Sequence, residues 1–371
     1  MRPFTPTLAG RLFAPSVAAL LAGLLGLAAA DPLRAAEHVV NNVKELRAAL
    51  SSLEHGDTIK IAPGTYPGGN HVVGIAKLTV EGLDPADPPV FEGGSNGWQF
   101  SECSDLTLRH LHVRKQTANG FNLDNGSAER PLVDGVRIEH VQVSDVGPTG
   151  NRDGFKLSGL RGAVIRDCTV SGWGGQAVDM VGCHNMRVVY CRFVGKEGFS
   201  ASAGVQTKGG TSGVTVENCR FENAGERPLN IGGSTGLEYF RPLGAKHEAK
   251  DITVRSNHIE GSLCAAAFVG VDGALFENNT VLYPTRWLFR ILQETREEGF
   301  VPCRNGIVRD NRIIFRRADI REDVNRSAAG IAPETFRFEN NKWFAEDRPT
   351  ASKPKLPTEE TGGEYGTDPR S

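Results

Sequence analysis

The stretch Leu108-Arg109-His110-Leu111-His112-Val113 decides the fold, because its pattern returns eight more times along the chain. Each copy has an apolar residue, two intervening residues, a fixed slot, one spacer and a second apolar residue. Successive slots lie 22 to 38 residues apart. Repeats of this length are typical of solenoids, propellers and arrays, in which each unit packs only on its neighbours. The slots hold Leu111, Val141, Cys168, Cys191, Cys219, Asn257, Asn279, Asn311 and Asn341.

Between the copies the chain reads as short strands broken by Gly, Asn and Asp, with no helical spacing. This pattern predicts an all-β chain folded as a right-handed parallel β-helix, a single-stranded solenoid over residues 37–344. The four successive Asn slots predict a ladder of stacked side-chain amides inside the column. The three successive Cys slots predict buried, unbridged thiols, although the chain holds seven cysteines.

The segments outside the repeats indicate export of the protein and a cap on the N-terminal end of the column. Residues 1–30 place two arginines before an apolar run, which predicts a secretory signal peptide with cleavage as late as residue 36. We therefore expect a secreted or periplasmic protein with no membrane span. Residues 43–53 have helical apolar spacing and predict an N-terminal capping helix, since an open β-column would template aggregation. Residues 345–371 are rich in Pro, Glu and Lys and predict a mostly disordered tail.

A second series of strands carries a row of polar residues at its middle positions. Because strand side chains alternate between faces, the apolar neighbours of these residues point inward and the row points outward. Such a chemically mixed row along a groove suits a carbohydrate, although an ordinary solvated face remains the alternative. Tyr239 and Arg241, in the long turn 234–242, are expected to wall this groove. The row consists of Gln99, Asn122, Lys156, Asp179, Gln206, Asn230 and Arg290.

Two stretches carry family resemblances. Residues 43–66, with the phrase GDTIKIAPGTY at 56–66, resemble the N-terminal cap of the pectin-lyase-like β-helix superfamily. Residues 204–233 resemble the active-site coils of the alginate lyase and chondroitinase B family, which implies Lys208 as the catalytic base. The family's two calcium-binding Glu would fall at Ala201 and Ala203, and its partner Arg at Gly232. Arg227 or Arg241 are then the residues that could replace that arginine.

Other chemistries remain open. Residues 151–157 are similar to coils of β-helical pectate lyases, which makes Lys156 a second candidate base and makes Asp153 with Asp179 a sparse calcium site. Calcium normally needs six to eight oxygen ligands, so no metal is assigned. A pair among Asp124, Asp153 and Asp179 would instead suit glycoside hydrolysis. A non-catalytic, glycan-binding or structural β-helix protein is the third alternative.

The groove composition favours an acidic polysaccharide as the partner, because basic residues concentrate there in a chain of formal net charge −2. That net charge gives no reason to expect nucleic acid. We therefore predict an exported, monomeric polysaccharide lyase with Lys208, Lys156 and Arg227 as its catalytic residues. The predicted substrate contacts are Gln206, Asn230, Asp179, Asn122, Arg241, Arg290 and Tyr239.

Overall fold

The computed structural model describes residues 35–370, so the predicted signal peptide over residues 1–30 lies outside the described residues. The described chain winds into a parallel β-helix in which most coils supply one strand to each of three long sheets. Every strand pairing is parallel, and corresponding residues of successive coils lie side by side. This confirms the prediction of an all-β solenoid.

The column has three long parallel sheets, A, B and C. Sheet A consists of Glu37–Val40, Thr58–Ile61, Thr79–Gly82, Thr107–Arg109, Arg137–Glu139, Val164–Arg166, Arg187–Val189, Thr211–Ser212, Thr215–Glu217, Ala249–Arg255, Val271–Glu277, Arg304–Arg309 and Arg337–Glu339. Sheet B consists of Thr65–Pro67, Val90–Glu92, His112–Arg114, Gln142–Val146, Thr169–Trp173, Arg192–Val194, Arg220–Glu222, His258–Glu260, Thr280–Leu282, Arg312–Phe315, Lys342–Ala345 and Glu364–Tyr365. Sheet C consists of Asn70–Val73, Trp98–Ser101, Phe121–Asp124, Phe155–Ser158, Gln176–Val181, Ala203–Lys208, Arg227–Gly232, Ala266–Val269, Trp287–Leu292 and Glu322–Arg326. A small pair, Val133–Asp134 with Leu160–Arg161, flanks them.

The repeated sequence pattern forms the corner between sheets A and B. The residue before each slot has a positive φ near 54°, as at His110 and Asn278, which turns the chain through the left-handed region. The slot residue then points into the column, and all nine slot residues are buried. His, Asp and Asn occupy most of the turning positions because these residues tolerate that backbone conformation best.

The four Asn slots form the predicted ladder. Asn279 donates from its backbone N–H and from Nδ2 to Asn311 Oδ1, at 2.9 and 3.1 Å. Asn311 repeats both bonds to Asn341 Oδ1, at 3.1 and 2.8 Å, and also donates from Nδ2 to the carbonyl of Phe276 at 3.0 Å. Each buried amide is therefore satisfied by the coils on either side of it.

The cysteine prediction is also confirmed. All seven cysteines are buried and unbridged. Within the slots, the Cys191 backbone N–H donates to Cys219 Sγ at 3.4 Å. Burial raises the pKa of Cys183, Cys264 and Cys303 to about 12, so these thiols remain protonated and unreactive at neutral pH.

A nine-residue α-helix, Val43–Ser51, follows the first strand. Asn42 accepts the backbone N–H of Glu45 at 3.0 Å and begins the helix, while Leu46 and Ala49 are buried against the core. The helix therefore exists where the sequence predicts one, and its capping role stays a prediction. None of the helices among residues 35–370 has the length and apolar character that crossing a bilayer requires.

The predicted disorder of residues 345–371 is wrong for the described part of this segment. Residues Glu364–Tyr365 add a strand to sheet B, and Glu360 reaches the end of the Asn ladder. Its Oε1 accepts from Asn341 Nδ2 and its Oε2 from Trp343 Nε1, both at 2.8 Å. The composition of the tail suggested disorder, but these buried donors require an acceptor, which the tail supplies.

Asn311→Leu tests the ladder. The substitution leaves the Asn279 backbone N–H without its acceptor and removes one hydrogen bond each from Asn279 Nδ2, the Phe276 carbonyl and Asn341 Oδ1. We therefore expect a loss of about 2–4 kcal/mol in the free energy of unfolding. Urea denaturation measures this loss. The same change at the exposed Asn151, whose side chain has no hydrogen-bond partner among the described residues, should stay within about 0.5 kcal/mol. Equal stability of the two variants would refute the ladder.

Candidate functional site

The predicted row is a physical feature of sheet C. The strand register places its members directly opposite one another, one coil apart, with Ala267 between Asn230 and Arg290. Neighbouring strands lie about 4.8 Å apart, so these side chains form a continuous line along the column. The line runs through Gln99, Asn122, Lys156, Asp179, Gln206, Asn230, Ala267 and Arg290.

Two lysines and two aspartates meet at the centre of the row. Lys156 Nζ contacts Asp179 Oδ2 and lies 3.3 Å from Asp153 Oδ2. Lys208 Nζ approaches the same Asp179 oxygen at 3.3 Å from the next coil. Both aspartate side chains are fully buried, whereas those of Lys156 and Lys208 keep 18% and 13% of their surface exposed. The two ammonium groups therefore cover two buried carboxyl groups.

The buried environment changes the pKa values of Asp153 and Lys156. Burial, reinforced by the Asp179 charge, raises the pKa of Asp153 to about 6. Burial alone would lower the pKa of Lys156, but Asp179 and Asp153 outweigh it and raise that pKa. Lys156 thus stays an ammonium ion, which argues against its predicted role as a base.

Asp179 does not have the role predicted for it in sugar binding. Its side chain is wholly buried beneath Lys156 and Lys208, so it cannot touch a sugar hydroxyl directly. Among the described residues, its Oδ1 has no hydrogen-bond partner. A buried, unpartnered carboxylate oxygen costs free energy, so the Asp179 side chain destabilises the folded protein locally.

The amides of the row form the floor of the groove on either side of this cluster. Asn122 is half-buried and donates from Nδ2 to Asp124 at 2.9 Å. Gln206 and Asn230 are 5% and 4% exposed. Asn230 Oδ1 accepts from Arg227 at 3.3 Å, while no described residue makes a hydrogen bond to the Gln206 side chain. Gln206 thus offers an amide with free donors and an acceptor beside Lys208.

The two residues predicted in the long turn differ in exposure. Tyr239, in the short 3₁₀ turn Leu237–Tyr239, is 57% exposed. Arg241 is instead 7% exposed, and its guanidinium donates to Asn125 Oδ1 and to the Tyr239 carbonyl, both at 2.9 Å. Arg241 therefore anchors the turn to an earlier coil, and the expectation that it meets a substrate carboxylate is not supported.

The remaining two arginines, Arg227 and Arg290, lie near each other and near Asn230. Arg227 forms an ion pair with Glu294 at 2.9 Å. Arg290 stacks over the Trp287 ring at 4.4 Å and donates to Asn325 at 3.0 Å. Burial and the neighbouring Arg227 lower the pKa of Arg290.

The residues do not fit a calcium ion. Ala201 and Ala203 bring no oxygen ligand, and Lys156 Nζ lies between Asp153 and Asp179, where a cation would have to bind. No group of three or more His, Cys, Asp or Glu suitable for a metal occurs within residues 35–370. Gly232 cannot be replaced by the family's arginine either, because its φ is 108° and a Cβ would lie 1.6 Å from the Val269 carbonyl oxygen.

The carboxylates suit glycoside hydrolysis poorly. Asp153 and Asp179 contact the same ammonium group and are both closed to solvent. Asp124 belongs to a different cluster, in which it accepts from Asn122 and Ser101. No pair is therefore exposed on either side of a sugar-binding space.

One buried residue that the sequence did not reveal organises the groove. Glu248 is fully buried and accepts the backbone N–H groups of Gly209 and Thr235, at 2.7 and 2.9 Å. It also accepts from the hydroxyl of Thr295. It thus ties the end of the Lys208 strand to the long turn and to the segment after strand Trp287–Leu292. No periodicity marks Glu248, since it lies outside the strand series.

A separate hollow of about 590 Å³ lies at the C-terminal end of the column and contains none of the predicted site residues. It lies between strand Glu322–Arg326 and the tail. Its lining includes Arg317, Arg321, Arg326, Lys353 and Lys355.

Comparisons with known proteins agree with this architecture. The family model described as "Right handed beta helix region" matches residues 119–342. No curated protein matches the sequence. Among solved structures, an alginate lyase from Paenibacillus sp. str. FPU-7 aligns with a TM-score of 0.50 and 17% identity, over 80% of this chain and 97% of that one.

Two further structures have the same fold with other functions. A GH136 lacto-N-biosidase from Eubacterium ramulus aligns with a TM-score of 0.57 and 13% identity, over 89% of this chain and 68% of that one. A surface protein and adhesin of Streptococcus pneumoniae aligns with a TM-score of 0.51 and 12% identity, over 81% and 79%. At these identities the likeness concerns the fold alone.

The raised pKa of Asp153 predicts a pH-dependent stability. The folded protein binds a proton at Asp153 up to about pH 6, whereas the unfolded chain releases it near pH 4. This group therefore makes the free energy of unfolding fall as pH rises from about 4 to about 6. Urea denaturation across that range should show the wild type losing about 1–3 kcal/mol relative to Asp153→Asn. A difference that stays constant with pH would contradict the assignment.

Proposed function

Because this chain belongs to the right-handed β-helix family, we propose that it is an exported carbohydrate-active protein that cleaves a uronic-acid-containing polysaccharide by β-elimination. The observation that carries the proposal is the row of polar side chains on sheet C from Gln99 to Asn230, with the contacts of Lys156 and Lys208 to Asp179 at its centre. The row supplies donors for hydroxyl and carboxylate oxygens, which are the groups such a glycan presents.

The charges of the groove support an anionic substrate. Lys156, Lys208 and Arg227 all have partly exposed side chains along the row. The carboxylates that balance the two lysines are buried beneath them. A ligand approaching from solvent therefore meets the cations before it meets Asp153 or Asp179, and this arrangement attracts a polyanion.

β-Elimination needs a base that removes the proton α to the uronate carboxylate. The electrons of that C–H bond form a carbon–carbon double bond, the glycosidic C–O bond breaks, and the leaving oxygen takes up a proton. Lys208 is better placed than Lys156 to act as this base. Lys156 is held by two carboxylates. Lys208 contacts a single carboxylate among the described residues, that of Asp179, whose Oδ2 already binds Lys156.

The other residues of the row orient the sugar. Gln206 lies beside Lys208 with an amide that has no partner within the described chain, and Asn230 is its neighbour on the next coil. Arg227 begins the strand that follows the Lys208 strand and faces the groove from the side opposite Lys208. From there it would neutralise the substrate carboxylate, which makes the α proton more acidic. Tyr239 offers an exposed ring on which a sugar can stack.

Lys208→Ala tests the proposal. We expect kcat to fall by about 10²–10⁴ because the substitution removes the base. The protein should stay folded, with a lower melting temperature, because Asp179 loses one of its two ammonium partners but keeps Lys156. The rate is the growth of ultraviolet absorbance from the new double bond, measured on alginate, pectate, chondroitin and heparin-like glycans, with calcium and with chelator. Lys44→Ala, on the exposed face of the helix Val43–Ser51, is the matched control and should keep full activity.

Three results would contradict the proposal in different ways. Full turnover in Lys208→Ala would show that another residue is the base. A wild-type protein that produces no double bond but does produce reducing ends would be a hydrolase. A protein that does neither would be a binding or structural protein.

A further inference from the structure

The polar row has one open end and one closed end. From Gln99 to Asn230 every position on it carries a polar side chain. The next position is Ala267, which is completely buried. It belongs to a small apolar cluster on the outside of sheet C, none of whose buried members exceeds 8% exposure. The floor that can bind sugar hydroxyls therefore stops at Asn230. The cluster consists of Cys264, Ala267, Val269, Trp287 and Leu292.

An ion pair crosses the groove at this point. Arg227 begins a strand of sheet C, whereas Glu294 follows the end of another. Because all strands of the sheet run parallel, their first residues lie along one side of the groove and their last residues along the other. The 2.9 Å contact between Arg227 and Glu294 thus joins the two sides, and Arg227 also donates to Asn230 beneath it.

The segment that carries Glu294 is held in place on both sides. Gln293, 3% exposed, donates from Nε2 to the Thr295 carbonyl at 2.7 Å and accepts the Cys303 N–H at 2.9 Å. Thr295, 7% exposed, donates to the buried Glu248. A polymer therefore cannot displace this segment without breaking buried hydrogen bonds.

We infer that the groove is blind at the Asn230 end, so that the protein binds the end of an acidic chain and releases short products. This inference rests on the proposed function. Lys208 lies one coil from the barrier, and stacked strands are about 4.8 Å apart, roughly the length of one sugar ring. Cleavage at Lys208 therefore leaves room for only a terminal sugar or two, whose carboxylate Arg227 binds.

Product size and viscosity test the inference on the wild-type protein. Double bonds should appear while the viscosity of the polymer falls slowly, and mono- or disaccharides should be the products from the first minutes. A rapid viscosity loss with a ladder of longer oligomers would overturn the blind groove and leave the lyase proposal standing. The absence of double bonds on every glycan would instead be a failure of the proposed function itself.

Binding supplies a second test that needs no turnover. Lys208→Ala, titrated with uronate chains of increasing length, should bind one protein per chain at every length. Stoichiometry that rises with chain length would overturn the inference.

Glu294→Ala tests the barrier directly. It should increase the share of products of three or more sugars, since it removes one side of the ion pair. Glu297→Ala, an exposed change in the same segment, should leave the product profile unchanged. Identical product profiles in both variants and the wild type would count against the role of Glu294.

Discussion

The register between parallel coils is the constraint on which the rest of the structure depends. Backbone hydrogen bonds fix each strand against the corresponding strand of the next coil, so residues more than twenty positions apart in sequence become direct neighbours. Lys156, Asp179 and Gln206 are adjacent for this reason alone. A slip of one residue would turn the entire row into the column and expose apolar side chains, so the inward packing also fixes the groove.

The candidate site contains buried charged groups, which folded proteins normally avoid. Two carboxyl groups are buried at the centre of sheet C, where an isolated charge would be very unfavourable. Lys156 and Lys208 compensate for them, and the raised pKa of Asp153 removes one of the two negative charges below about pH 6. The ammonium groups of Lys156 and Lys208 are thereby held at fixed positions on the groove floor.

The repetitive part of the molecule could be predicted from the sequence, because repetition is visible in one dimension. The corner pattern, the Asn ladder, the stacked thiols and the composition of the row all follow from spacing and side-chain chemistry. The parts that failed depend on the paths of loops between coils. Arg241 turns inward to Asn125, 116 positions earlier, and the tail returns Glu360 to the ladder. The ion pair of Arg227 with Glu294 and the hydrogen bonds accepted by Glu248 also depend on the paths of these loops. A hint existed for the tail alone, since the buried indole of Trp343 needs an acceptor.

A crystal structure of Lys208→Ala with a uronate tetrasaccharide would show directly where the glycan binds. We expect a sugar chain lying along sheet C, with hydroxyls on Gln206 and Asn230, a carboxylate on Arg227 and its end at the Arg227–Glu294 pair. Sugar density in the basic hollow at the C-terminal end, with the sheet C groove empty, would show that sheet C is not the binding site.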